Sequence, residues 1–205
     1  MTLPDLSAVA ALYTDSLKKH GTTPMGVGWR DGASQTLRFD KLAQVIDPSQ
    51  PFTVNELGCG YGALLEYFTA RGLPLQRFRG HEISSEMLAM AHRRIGQSDL
   101  VQLTDKAQLD QEADYSFASG IFNVRLDCDQ GNWTRYIQNT LANMNAYSRR
   151  GFAFNALSTY VDFRESHLYY ADPLEFFDFC KRTFSRFVSL SHDYPLFEWT
   201  ITVRK

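Results

Sequence analysis

The sequence predicts an α/β fold in which a mostly parallel sheet lies between helices on both of its faces. Apolar runs of strand length alternate with amphipathic runs of helix length over most of the 205 residues, a pattern typical of parallel strands joined by crossover helices. The last two strand candidates have no helix between them. We therefore expect a C-terminal hairpin that adds one antiparallel strand to the sheet.

Two helices are predicted before the first strand. The first spans residues 4–19 and has apolar side chains at helical spacing. A glycine-rich loop at 20–34 follows, and a second helix at 36–46 ends where an Asp-Pro pair stops it. We expect residues 1–50 to form a helical cap on a core at 51–205, with the whole chain as a single domain.

Seven strands and four further helices are predicted in the core. The strand candidates are residues 51–57, 78–83, 99–104, 114–120, 151–157, 186–192 and 197–204. The helix candidates are residues 62–71, 84–95, 132–148 and 173–184. Gly72 ends the first of these helices, Ser84 is the expected N-cap of the second, and Pro173 opens the last.

Composition excludes several classes of partner. The chain has 21 basic and 23 acidic residues, with a formal net charge of -2 and no block of like charge. We therefore expect a small-molecule substrate, with no nucleic acid and no membrane as partner. Cys59, Cys128 and Cys180 are isolated, which favours a reducing, cytoplasmic location. No His, Cys, Asp or Glu residues show metal-ligand spacing, so we predict no metal.

The segment 54–68, VNELGCGYGALLEYF, carries three glycines between a strand and a helix. Because glycine inside an element costs roughly 0.5–1 kcal/mol relative to alanine, the pattern indicates that a ligand touches the backbone there. Such a turn presents backbone N–H groups and a helix N-terminus. Glu82 ends the next strand, where a carboxylate suits the two hydroxyls of a ribose. The sequence therefore predicts a nucleoside-derived cofactor.

A dinucleotide is an alternative, because Gly58-x-Gly60-x-x-Ala63 also fits the looser form of that motif. Glu56 counts against a pyrophosphate, since its carboxylate would repel one but accept hydrogen bonds from an ammonium group. The alternative hypotheses are an NAD(P)-dependent oxidoreductase and a non-catalytic binding protein with the same fold.

Four segments together resemble a known family. ELGCGYG (56–62) resembles the first motif of the class I S-adenosylmethionine-dependent methyltransferases, and GHEISSEMLAMAHRR (80–94) is similar to their second. LTDKAQL (103–109) resembles the third motif and ADYSFASGIFN (113–123) the fourth. The resemblance covers about residues 50–205, and the segments 168–184 and 192–205 resemble the ending of small bacterial members of undefined substrate. It implies a three-layer Rossmann-like methyltransferase fold.

The resemblance also implies the cofactor and its contacts. The cofactor is S-adenosyl-L-methionine, and the expected activity is methyl transfer to an oxygen or nitrogen nucleophile of a small molecule by in-line displacement. The implied cofactor-binding residues are, for the methionine end, Glu56, Gly58, Cys59 and Gly60; for the ribose, Glu82; for the adenine, Ile83, Met87, Thr104 and Asp105; and beside the sulfonium, Gly120 and Ile121.

Three residues are candidates for catalysis. His192 follows the sixth strand and has Asp193 beside it, so it is either an oriented base or a satisfied histidine at a strand end. Tyr170 lies after the fifth strand, where loops surround the ligand in open sheets, or it packs the last helix on the sheet. Asn123 lies at the edge of the expected transfer site. The missing prolines after it disfavour methylation of base amino groups.

Two residues of the cap are weaker candidates. Trp29 lies in the glycine-rich loop and Arg38 in the second helix, so either can close over the cofactor or contact the substrate. For Arg38 the alternative is an ion pair with Asp40 or Asp47.

Overall fold

The computed structural model of the chain describes residues 5–96 and 98–205. Within them the sheet has seven strands. They are β1 (Phe52–Leu57), β2 (Leu75–His81), β3 (Val101–Thr104), β4 (Ala113–Ala118), β5 (Ser148–Leu157), β6 (Phe187–Ser191) and β7 (Glu198–Arg204). Their order is β3-β2-β1-β4-β5-β7-β6. Strand β7 runs antiparallel to β5 and β6, and the other neighbouring strands are parallel, which confirms the predicted fold class and terminal hairpin.

Six α-helices accompany the sheet in the described residues. They are α1 (Ser7–His20), α2 (Gly32–Leu42), α3 (Ala63–Ala70), α4 (Ser85–Ile95), α5 (Gln130–Ala146) and α6 (Pro173–Thr183). Every predicted helix is present, and residue 4, the predicted start of the first one, lies outside the described residues. No helix of the described part combines the length and apolar character that a membrane crossing requires.

Several elements begin earlier than predicted, and helix α2 and strand β2 show two causes. Helix α2 begins at Gly32, inside the predicted loop, because Asp31 caps it: its carboxylate accepts a hydrogen bond from Ser34 N at 2.7 Å. Strand β2 begins at Leu75 instead of residue 78, because Leu75 pairs with Phe52 of β1. Pairing with a neighbouring strand extends a strand beyond its apolar run, which the sequence pattern does not reveal.

The two faces of the sheet carry separate apolar clusters, so the fold has three layers. The cluster under α2 and α3 includes Phe39, Leu42, Leu64, Phe68, Phe78 and Phe117. The cluster under α5 and α6 includes Val9, Trp133, Ile137, Leu141, Phe154 and Trp199. The two cap helices thus pack on opposite faces, since Val9 belongs to α1 and Phe39 to α2.

The topology brings two turns together at one edge of the sheet. Strands β1 and β4 are parallel neighbours, and Leu57 and Ala118 at their carboxyl ends are paired. The connections from β1 and β4 leave toward opposite faces at this point, where ligands bind in open α/β sheets. Helix α1 reaches the same edge, because Thr14 Oγ1 lies 2.8 Å from Ser84 Oγ at the start of α4.

Candidate active site

The turn after β1 requires glycine at its first position. Gly58 has a φ of 68°, in the left-handed region. A Cβ on Gly58 would lie 2.2 Å from Ile121 Cγ2, a side chain of the turn that follows β4. The N–H groups of Gly58 and Cys59 both donate to His81 O, at 2.8 and 3.1 Å. Gly58 therefore allows the turn after β1 to approach the turn after β4.

Two adjoining cavities open at this edge, each enclosing about 70 Å³. The first cavity is lined by Tyr13, Val27, Trp29, Gln35, Phe39, Glu56, Gly58, Cys59, Tyr61, Ala63, Leu64, Ser119, Gly120 and Ile121. The second cavity is lined by Leu6, Val9, Ala10, Tyr13, Leu57, Gly58, His81, Glu82, Ile83, Lys106, Ala107, Ile121 and Tyr136. Because Tyr13, Gly58 and Ile121 line both, the two cavities share a wall.

Glu56 lies in the wall of the first cavity as an unpaired carboxylate. Its side chain is 97% buried, with 3% of the residue exposed, and Oε2 has no hydrogen-bond partner among the described residues. Burial, reinforced by the nearby Glu82, raises the pKa of Glu56 well above its ordinary value. A buried carboxylate of this kind is stabilised by a cationic hydrogen-bond donor in the cavity.

Glu82 lies in the wall of the second cavity and is held by backbone groups. Its Oε2 accepts from Gly60 N and its Oε1 from Ser84 N, both at 2.9 Å. Burial raises the pKa of Glu82, although these hydrogen bonds oppose the rise. Because an ionised carboxylate has about four acceptor positions, Glu82 retains capacity for two further donors.

The turn after β4 is held by a buried chain of polar contacts. Gly120 N donates to Asn155 Oδ1 at 2.8 Å, and Asn155 Nδ2 donates to Glu198 Oε2 at 3.0 Å. Arg38 donates to both oxygens of Glu198, and its guanidinium stacks 3.8 Å above the Trp29 ring. A Cβ on Gly120 would lie 2.3 Å from Trp29. The cap and three strands thus shape the first cavity together.

Comparisons with known proteins agree with this geometry. Residues 55–150 match a family model described as a methyltransferase domain. The Mycobacterium tuberculosis protein "Putative methyltransferase Rv1506c" is 48% identical over 164 residues, which span 79% of this chain and 98% of that protein. The chain belongs to the class I S-adenosylmethionine-dependent methyltransferases. The predicted family, enzyme class and cofactor are confirmed.

Solved structures agree with the fold of this methyltransferase. DhpI in complex with SAH has a TM-score of 0.64 at 17% identity and covers 95% of this chain and 94% of that chain. A SAM-dependent methyltransferase of Leishmania major has a TM-score of 0.65 at 13% identity, with 96% and 82% covered. At such identities the likeness concerns the fold alone.

The methyltransferase brings most of the predicted cofactor residues together. Those on the cavity walls are Glu56, Gly58, Cys59, Glu82, Ile83, Gly120 and Ile121. Gly60 is buried behind them and donates to Glu82, while Met87 is buried in α4. Thr104 and Asp105 do not line either cavity; their neighbour Lys106 does. Burial raises the pKa of the Cys59 thiol well above its ordinary value, which fits a small filler.

The three predicted catalytic residues lie away from both cavities. Asn123 is buried and its Oδ1 accepts from Leu157 N at 3.0 Å, so it braces the end of β5. His192 is exposed, with its ring beside that of Tyr160. Tyr170 lines a separate polar depression. The structure does not bring these side chains to the candidate active site.

The predicted ion-pair partners also differ. Arg38 bonds to Glu198, whereas Asp40 bonds to Arg71, so that expectation was wrong. Asp193, expected beside His192, bonds to Lys41 Nζ at 2.9 Å. Chain neighbours at the end of a strand point in different directions, so adjacency in sequence did not predict these contacts.

Tyr13 and His81 are two of the wall residues that the sequence analysis missed. Tyr13 lines both cavities, and burial together with Glu82 raises its pKa to about 12; the sequence pattern gave it only an apolar position on α1. His81 lines the second cavity and is 1% exposed. Its signal was its position directly before Glu82 at a strand end. Over residues 5–96 and 98–205, no group of three potential ligands lies close enough to hold a metal.

Proposed function

We propose that the chain transfers the methyl group of S-adenosylmethionine to an oxygen or nitrogen nucleophile of a small molecule by in-line displacement. The observation that carries the proposal is the unpaired, buried carboxylate of Glu56 in the first cavity, beside a second carboxylate, Glu82, in the adjoining one. The cofactor offers one cationic ammonium and one ribose diol, which are the donors that two such carboxylates need.

The first cavity fits the amino-acid end of the cofactor. Glu56 would accept hydrogen bonds from the ammonium group, and the resulting charge pair would remove the cost of a buried, unpaired carboxylate. The turn at Gly58 lets the ligand approach the backbone because no side chain intervenes there. A pyrophosphate would meet the charge of Glu56 instead, so this pair of residues favours the sulfonium nucleoside over a dinucleotide.

The second cavity fits the nucleoside end. Glu82 would accept hydrogen bonds from the ribose hydroxyls with the acceptor positions that Gly60 and Ser84 leave free. Leu6, Val9 and Ile83 give this cavity apolar walls suited to the faces of a purine base. Helix α1 covers this cavity and would shield the base from water.

The residues of the first cavity favour alignment over acid–base catalysis. The bound cofactor supplies an electrophilic methyl group. Burial raises the pKa values of Tyr13 and Tyr61 above that of a free tyrosine, so both stay protonated near neutral pH. The two hydroxyls can donate hydrogen bonds to the substrate that accepts the methyl group, but they cannot take a proton from it. Trp29 and Phe39 would exclude water and position the acceptor for displacement.

We expect no contact between the methyl acceptor and His192, Asn123 or Tyr170, because none of these residues lines either cavity. The aromatic wall of the first cavity favours an acceptor with a flat or apolar body.

Calorimetry on the whole chain tests the cofactor assignment. We expect S-adenosylhomocysteine to bind and NAD not to bind. Glu82→Ala should weaken the binding of S-adenosylhomocysteine at least tenfold, whereas Glu175→Gln, an exposed site on α6, should leave it unchanged. Binding of NAD alone would contradict the proposal. An unchanged affinity in Glu82→Ala would contradict only the ribose assignment.

Product analysis tests the transfer. Reactions with cofactor labelled with ¹³C in the methyl group, run against a panel of phenols, carboxylic acids and amines, should yield labelled O-methyl or N-methyl groups by NMR. Labelling at carbon would contradict the proposed acceptor class. A cofactor whose methyl group is made chiral with hydrogen isotopes should give inverted configuration, as in-line displacement requires.

A further inference from the structure

His81 is a buried, titratable side chain that the proposed chemistry does not use. It is the last residue of β2 and pairs with Leu57 of β1, which puts both side chains on the same face of the sheet. Both residues line the second cavity. His81 is therefore one of the residues that line the cavity proposed for the nucleoside.

Neither ring nitrogen of His81 has a hydrogen-bond partner within the described part of the chain. Buried side-chain nitrogens in native proteins are almost always paired, since each unpaired group costs about 1–3 kcal/mol. No described residue supplies this partner, and a ligand in the cavity that His81 lines can supply it.

The ring is neutral near neutral pH, which sets what it can bind. Burial lowers the pKa of His81 to about 4, with Asp110 opposing the fall and Arg79 and Lys106 adding to it. A neutral imidazole has one N–H donor and one nitrogen acceptor. The edge of a purine base also presents donors and acceptors, so the two are complementary.

Some of the other polar groups of the second cavity already have partners. Lys106 pairs with Asp110, and the carboxylate of Glu82 accepts from Gly60 and Ser84. The rest of the wall is largely apolar. His81 therefore adds unused hydrogen-bonding capacity to this cavity, beside the acceptor positions that Glu82 keeps free.

We propose that His81 hydrogen-bonds the adenine of the cofactor and determines which base the enzyme accepts. This inference rests on the proposed function, because it needs the nucleoside in the second cavity. A histidine that only hydrogen-bonded a buried water molecule would also have its polar atoms paired, but it would not discriminate between bases.

The experiment compares two ligands by calorimetry: S-adenosylhomocysteine and S-inosylhomocysteine, in which a carbonyl replaces the 6-amino group. We expect the wild-type chain to prefer the adenine ligand by about tenfold or more. In His81→Leu and His81→Phe the preference should fall to less than about threefold, mainly through weaker binding of the adenine ligand. His92→Leu, at an exposed position of α4, should keep the wild-type preference.

Each outcome decides. Equal affinity of the wild-type chain for the two ligands overturns the inference without any variant. An unchanged preference in a variant that is folded by circular dichroism also overturns it. If neither apolar variant folds, His81→Asn, which has a shorter side chain, replaces them. A preference for the adenine ligand in His81→Asn that is within twofold of the wild-type preference counts against the inference. Failure of the wild-type chain to bind either ligand would instead contradict the proposed function.

Discussion

Arg38 on α2 and Glu198 at the start of β7 form a buried ion pair with two hydrogen bonds, of 2.7 Å from Nε to Oε2 and 2.8 Å from Nη2 to Oε1. Arg38 is 7% exposed and Glu198 2%. The pair connects the N-terminal cap to the sheet, and through Asn155 it reaches the backbone of Gly120. The shape of the first cavity therefore depends on this contact.

Removing one partner of this pair should be costly. Arg38→Met leaves Glu198 as a buried, unpaired charge, which should lower the free energy of unfolding by about 3–5 kcal/mol. The double variant Arg38→Met/Glu198→Met should regain most of the loss, because no uncompensated charge remains. Urea unfolding of the single and double variants measures both effects.

The exposed pair Arg71–Asp40 is the matched control. Its side chains are 52% and 37% exposed, so Arg71→Met should change the free energy of unfolding by less than about 1 kcal/mol. An equal loss in Arg38→Met and Arg71→Met would show that burial does not set the strength of the Arg38 contact.

A comparison of Gly58→Ala with Gly72→Ala distinguishes the effect of backbone strain from the effect of lost space in the cavity. Both have positive φ, 68° and 61°, so alanine costs about 1–2 kcal/mol at either position. Only at Gly58 would the new Cβ meet a neighbour, at 2.2 Å from Ile121, since nothing lies within 4 Å at Gly72. We expect calorimetry to show at least a tenfold weaker binding of S-adenosylhomocysteine in Gly58→Ala and unchanged binding in Gly72→Ala. A similar loss in both variants would assign the effect to strain.

The raised pKa of Glu56 predicts pH-dependent binding of the amino-acid end. Near neutral pH an ammonium partner favours the ionised carboxylate, so binding releases a proton in the range where the free Glu56 is protonated. As the pH falls below the raised pKa, protonation competes with the ammonium and affinity decreases. The measurement is the affinity for S-adenosylhomocysteine by calorimetry from about pH 8 to about pH 5.

Two controls isolate this effect. 5′-Methylthioadenosine has the ribose but no amino-acid group, so it reports any contribution of Glu82, whose pKa is also raised, without that of Glu56. Glu56→Gln should bind S-adenosylhomocysteine more weakly and with less pH dependence. Parallel pH profiles for the two ligands in the wild-type chain would contradict the ammonium assignment.

His81 should make the fold less stable in mild acid. Its pKa is about 4 in the folded chain and near 6.5 when unfolded. The unfolded state therefore binds more protons between these values, and the free energy of unfolding should fall as pH drops through this window, by up to about 3 kcal/mol. Glu56 and Glu82 have raised pKa values and act in the opposite direction, so the wild-type curve alone does not isolate the histidine.

The difference between wild type and His81→Leu does isolate it. Denaturant unfolding at several pH values measures the free energy of unfolding of the wild type minus that of His81→Leu. This value should increase as the pH rises from about 4 to about 6.5 and should be constant above that range. A difference independent of pH would mean that the imidazole titrates normally in the folded chain.

The sequence predicted those parts of the molecule that depend on local pattern. The alternation of strands and helices predicted the sheet and its hairpin. The glycine turn predicted a ligand site with the carboxylates of Glu56 and Glu82, which line the two cavities. Contacts set by tertiary packing were not accessible. The start of α2 depends on the hydrogen bonds between Asp31 and Ser34, and the exposure of His192 is fixed by the folded chain and not by its neighbours in sequence.

The partner of Arg38 was not predictable because it lies 160 positions away in the chain. Nothing near Arg38 in sequence distinguishes it from a surface arginine, and Asp40 is closer. Likewise, His81 became a candidate only when the pairing of β1 and β2 fixed which face its side chain occupies. Residues that act through long-range contacts need the three-dimensional arrangement to be recognised.

The insertion of β7 between β5 and β6 has a consequence for the order of folding. Strand β7 lies between β5 and β6, and the contact of its Glu198 with Arg38 closes a loop of 160 positions; such long closures slow folding. We therefore expect the cap to complete its ion pair with the sheet only after this strand has docked. A refolding chain should therefore regain its affinity for ligand in its slowest kinetic phase, after most of its helical signal has returned.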